Sequence, residues 1–149
     1  MFSYRWTYRF TMPPLEAVLD AVEAYFTTLA PGRYKLEHRE RFCVEFRRGA
    51  WRTRWLDSSA FVPRFTGIDR RDVATWPTLL TVTALPSLTA FEITVQRDVQ
   101  MPNGLPLQEG HQGVGASTFT AETDGLVDYL AEFLKLPERP DVAATSNHA

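Results

Sequence analysis

The chain has 149 residues, enough for a single domain that buries roughly two-thirds of its unfolded surface without covalent staples. Its apolar fraction of 44%, with ten Phe, five Tyr and four Trp, excludes a disordered polypeptide. The single Cys43 excludes an internal disulfide framework and multi-thiolate zinc sites, and no apolar run reaches the roughly 18 residues of a membrane span.

Net charge is −2, yet residues 1–71 carry 13 basic and 8 acidic side chains while residues 72–149 carry 3 and 10. Such polarity marks a basic binding face, two surfaces that meet in an assembly, or ion pairing that cancels within the fold. The N-terminal MFSYRWTYRF lacks the uninterrupted apolar core of a signal peptide, and with one cysteine it points to the cytoplasm.

In chain order, Phe2, Tyr4, Trp6, Tyr8 and Phe10 alternate with Ser3, Arg5, Thr7 and Arg9, the pattern of a half-buried strand. Thr11 and the Pro13-Pro14 pair suit a helix start, because the missing N–H groups have no intrahelical acceptor there. Leu15, Val18, Leu19, Val22, Tyr25, Phe26 and Leu29 then recur at helical spacing, with Glu16, Asp20 and Glu23 opposite. Pro31-Gly32 ends that helix. Three meander strands follow: Tyr34, Leu36 and His38 share one face, then Phe42, Val44 and Phe46, then Trp51, Thr53 and Trp55.

Residues 57–78 have no sustained period; Phe61 and Phe65 suit a core-covering segment, and Asp69 with Asp72 suits a cap for a helical turn through Val73. Leu79 to Leu85 and Phe91 to Gln96 make a hairpin around Pro86-Ser87. A Pro-Asn-Gly turn at 102–104 and a glycine-rich loop at 110–115 precede Ala116 to Phe119, read as a brief pairing segment. Thr120 or Thr123 is then placed as the cap of a last helix with the stripe Leu126, Val127, Leu130, Phe133, Leu134 and Leu136. Pro137 stops it, and residues 138–149, small and polar, read as a flexible tail on a single domain spanning 1–137.

The expected fold is therefore α+β, an antiparallel sheet of about six strands with an N-terminal and a C-terminal helix on one face, in the order β-α-β-β-β-β-β-α. In length and element order this layout resembles the START-like helix-grip class, in which a curved antiparallel sheet wraps a long C-terminal helix around a cavity. One long helix follows the first strand here, where that class has two short ones.

Outward strand positions carry a basic set, Arg5, Arg9, Arg33, Lys35, Arg41, Arg47, Arg52 and Arg54, which suits a protein or anion interface or a solvated face laced with pairs to Glu37, Glu45 and Glu92. The balanced net charge and the lack of exposed stacking aromatics speak against nucleic acid. The inward aromatics Tyr4, Trp6, Tyr8, Phe42, Phe46 and Phe133 suit either core or a small apolar-ligand cavity.

Catalytic signatures are lacking. The glycine-rich loop has no Lys-Ser/Thr ending; Cys43 and His38 lie on opposite faces by strand parity; His38, His111 and His148 are too scattered for a metal set. No cofactor is implied. A non-enzymatic interaction or assembly module, by hetero- or self-association, leads; an apolar-ligand carrier comes second, and an enzyme using Asp69, Asp72 or Glu109 third.

Overall fold

A computed structural model of the protein describes residues 2–9, 15–30, 33–49, 73–88, 90–101, 116–136 and 138–145, with residues 8, 9, 74, 116, 144 and 145 described by their backbone alone. The expected strand at 51–55, the residues Phe61 and Phe65, the caps Asp69 and Asp72, the turn at 102–104 and the glycine-rich loop at 110–115 lie outside the described residues.

Alternation of aromatic with Arg and Thr residues forms strand β1, Phe2–Arg9, with Tyr4 and Trp6 buried and Arg5 and Thr7 exposed. Helix α1, Leu15–Ala24, buries Val18, Leu19, Ala21 and Val22 and turns Glu16 and Asp20 to water. It widens into a π-helical turn, Tyr25–Leu29, closed by the Ala30 N–H on the Tyr25 carbonyl at 2.8 Å. The cause is local: the Thr27 hydroxyl donates to the Glu23 carbonyl at 2.7 Å and that of Thr28 to the Ala24 carbonyl, competing with the backbone amides for those acceptors.

Strands β2, Lys35–Arg39, and β3, Cys43–Arg48, form a hairpin with a bulge between Leu36 and His38. β2 is exposed over most of its length, and its charges and bulge are devices that keep an edge strand from pairing further. The helical turn expected through Val73 is a 3-10 turn, Val73–Thr75. Strands β4, Thr78–Pro86, and β5, Ala90–Val99, are joined by a tight turn in which the Ser87 N–H donates to the Ala90 carbonyl at 2.7 Å.

Helix α2 runs Ala116–Phe133. Thr120 and Thr123 therefore do not cap its start, nor is Ala116 to Phe119 a pairing segment, because the buried Phe119 extends the apolar stripe by a further turn. Residues 138–145 contribute the three-residue strand β6, Ala143–Thr145, on the edge of β1, and Arg139 ties this segment to Asp124 and Asp128 of α2 at 2.7 and 2.6 Å.

The strands form one antiparallel sheet, β2-β3-β4-β5-β1-β6: five strands of five to ten residues and the short edge strand β6. Helix α1 packs against β3, β4 and α2, so the chain is α+β with its helices gathered over the sheet, as the sequence pattern implies. The core lies between: Tyr4, Trp6, Val44, Phe46, Leu80, Val82, Ile93 and Val95 from the sheet meet Leu19, Phe26, Phe119, Leu126 and Leu130 from the helices.

The helices lock closely at Gly125. A Cβ built there would stand 2.3 Å from the Tyr25 hydroxyl, which donates to the Glu122 carbonyl at 2.7 Å. Glycine at this helical position trades propensity for the approach of Tyr25.

Candidate functional site

Strand parity builds the site. In β3, Val44 and Phe46 face inward, and the next residue of that series is Arg48. In β5 the inward series Phe91, Ile93, Val95 continues to Arg97. Register brings the two together: Arg48 lies opposite Thr78 of β4, and Arg97 opposite Leu80 one row further along the same strand. Glu122 enters from the apolar stripe of α2 between Phe119 and Leu126.

Glu122 and Arg97 are fully buried and Arg48 is 9% exposed. Glu122 Oε1 accepts from Arg48 at 3.0 Å, and Oε2 accepts from Arg97 at 3.2 Å and from the Tyr34 hydroxyl at 2.8 Å. Arg97 also donates to Thr123 Oγ1 at 2.9 Å, and Arg48 to Thr78 Oγ1 at 3.3 Å. Aromatic faces complete the surroundings: Arg48 lies 4.7 Å from the Tyr34 ring centroid, and Arg97 lies 5.4 Å from that of Phe119 and 5.7 Å from that of Tyr4. The Nε atoms of both arginines have no hydrogen-bond partner among the described residues.

Among the described residues two guanidiniums face one carboxyl group, so even with Glu122 ionised this set keeps one positive charge in excess. Taking such charges out of water is expensive unless geometry and hydrogen bonds compensate. The surroundings also act on the tyrosines. Burial foremost, with Glu122 adding to it, pushes the Tyr34 hydroxyl up to about 12 against the pull of both arginines; burial likewise pushes Tyr25 up to about 12. Both phenols therefore stay neutral donors through the physiological range.

Arg48 also reaches the outside. With Arg33, Lys35, Glu37, Arg47 and Gly49 it lines a half-open cleft of about 420 Å³ at the start of β2 and the end of β3. Arg47 pairs with Glu37 at 3.3 Å, whereas Arg33 and Lys35 are exposed and have no acidic partner among the described residues.

The expected basic set is thus divided. Arg33, Lys35 and Arg47 come together at the cleft; Arg41 is exposed near the other end of the hairpin, its guanidinium 5.1 Å from the Phe42 ring centroid. Arg5 lies on β1, separated from β3 by β4 and β5, and contacts Glu92 at 3.6 Å. The side chain of Arg9, and Arg52 and Arg54 entirely, lie outside the described residues.

Among the inward aromatics, Tyr4, Trp6 and Phe46 are buried, Phe42 is half-buried, and Phe133 at the end of α2 is 44% exposed; the Tyr8 side chain lies outside the described residues. Burial pushes the Cys43 thiol up, away from the thiolate a nucleophile needs, and His38 meets Glu40 at 3.1 Å. Among the described residues no three His, Cys, Asp or Glu side chains converge to hold a metal, and no helix is long and apolar enough to cross a membrane.

Sequence reading by chemistry alone passes over Arg48, Arg97 and Glu122, because basic and acidic residues are assigned to water by default. Carrying each alternation two residues further, and the stripe of α2 one turn back, would have put all three in the core. Neither protein-family models nor curated proteins give a match to this chain.

Proposed function

We propose that this protein is a non-enzymatic interaction module that receives an acidic segment of a partner protein in the basic cleft formed by Arg33, Lys35, Arg47 and Arg48. The observation that carries this reading is the contrast among its basic side chains. Arg5, Arg39, Arg47 and Arg139 each hold a carboxylate, while Arg33 and Lys35 stand exposed with no acidic partner among the described residues, beside a cleft whose described lining has four cations and one carboxylate. Arginine presents a planar donor fork that fits a carboxylate bidentately, and clustered cations raise the encounter rate with an acidic partner.

The alternative of a small apolar-ligand carrier has less support. Three charged side chains occupy the inner face that would have to host an apolar molecule, and Phe133 is 44% exposed.

Calorimetric titration with a hexaglutamate peptide tests the proposal. The wild-type chain is expected to bind, more weakly as salt rises, and R33S/K35S to bind roughly tenfold more weakly, which is about 1.4 kcal/mol. Equal affinity in the two proteins, or no binding by the wild type at low ionic strength, would overturn it.

A further inference from the structure

The buried cluster and the basic cleft share one side chain, Arg48, and the charge count of the cluster makes that side chain the movable one. With Arg48 in place, two guanidiniums stand against Glu122 among the described residues; without it, Arg97 and Glu122 remain as a balanced pair. Glu122 would keep its bonds from Arg97 and the Tyr34 hydroxyl, and Arg97 would keep Thr123. Losing Arg97 instead would strip the centre of the cluster, and Arg97 has no exposed surface.

Arg48 is held less completely. It is the most exposed member of the cluster, its contact with Thr78 is the longest hydrogen bond there, and it borders the cleft. We infer that Arg48 is a shared guanidinium: a carboxylate of an acidic segment seated between Arg33, Lys35 and Arg47 competes with Glu122 for it and draws it from the core into the cleft. This rests on the cleft reading above and adds a claim about what binding does to the interior. Occupation of the cleft exchanges an overcharged buried triad for a neutral buried pair, so ligand binding and the packing of α2 on the sheet are coupled.

Two measurements on the full chain test it. Arginine side-chain Nε–H resonances, with that of Arg48 identified by its loss in R48K, are followed during titration with hexaglutamate. The Arg48 signal is expected to shift and lose its protection from solvent exchange while that of Arg97 stays in place. E122Q, which weakens the internal competitor, is expected to bind the peptide roughly fivefold or more tightly than wild type, the low end of typical coupling between sites. If the peptide binds wild type and loses affinity in R33S/K35S, yet leaves the Arg48 signal unmoved, the shared-guanidinium inference is wrong and the cleft reading survives. If affinity is indifferent to R33S/K35S, the cleft reading itself fails. Should E122Q not fold, the wild-type resonance decides alone.

Discussion

Arg39 and Arg48 sit on neighbouring strands, and each binds carboxylates from a helix, but their surroundings make them different devices. Arg39, at the end of β2, spans Glu16, Asp20 and Glu23 of α1 at 2.9, 2.7 and 2.9 Å. The spacing i, i+4, i+7 puts those three acids on one helical face, as the sequence shows, and all of them keep contact with water. Arg48, at the end of β3, shares the fully buried Glu122 with Arg97. At the surface, three carboxylates on one guanidinium cost little because solvent screens their repulsion. In the interior, two guanidiniums on one carboxylate form a cluster in which each missing partner is felt. Similar ion pairs thus act as a trim on the surface and as a keystone inside.

The sharpest way to break that contrast is to remove the group at the centre of each cluster, Glu122 inside and Arg39 at the surface. Glu122→Ala removes the carboxylate shared by two buried guanidiniums and is expected to cost about 3–5 kcal/mol, read as a fall in the urea midpoint. A triple replacement of Arg48, Glu122 and Arg97 by Met should recover most of that loss, since an apolar set of similar volume needs no charge compensation. If Glu122→Ala were as mild as a surface substitution, the cluster would not be the keystone of the interior.

The next effect separates the two clusters by pH. Tyr25 and Tyr34 have ordinary values of 10.0 and are raised to about 12 in the fold. Because the folded value exceeds the unfolded one, their stabilising contribution is complete below pH 10 and is lost as pH rises from 10 towards 12. Urea stability should hold to about pH 10 and then decline, with tyrosinate absorbance at 295 nm rising together with unfolding; the Y34F variant should decline less steeply. Early ionisation of all five tyrosines in the folded chain would contradict the burial argument.

The smallest effect belongs to the surface clamp. Arg39→Ala is expected to cost under about 1 kcal/mol, and that cost should shrink further in 1 M salt, because exposed pairs are weak and screened. A loss comparable to that of Glu122→Ala would mean that solvent does not distinguish the clusters.

Much of the architecture follows from local pattern. Period-two alternation reads out β1, β3, β4 and β5, the helical stripe Leu15 to Phe26 reads out α1, and short turns make the sheet antiparallel. These features come from neighbours a few residues apart, where backbone geometry and side-chain polarity act directly. The π-turn at Tyr25–Leu29 follows from competing threonine hydroxyls, but only the folded chain shows which acceptors they take.

Position 48 marks where local pattern stops. Its inward parity is written in Phe42, Val44 and Phe46, yet an arginine is placed inside only if the fold supplies an anion, and that anion is Glu122, 74 residues away. The early start of α2 has the same origin, since Phe119 and Thr123 are committed to the helix by what they meet on the sheet. The division of the basic set also waits for the strand order, because β4 and β5 come between β3 and β1. By itself the sequence determined an α+β chain with an antiparallel sheet and a polarised charge. Tertiary structure alone decided which charges are buried, because desolvation penalises each lone ion and only long-range partners can offset it.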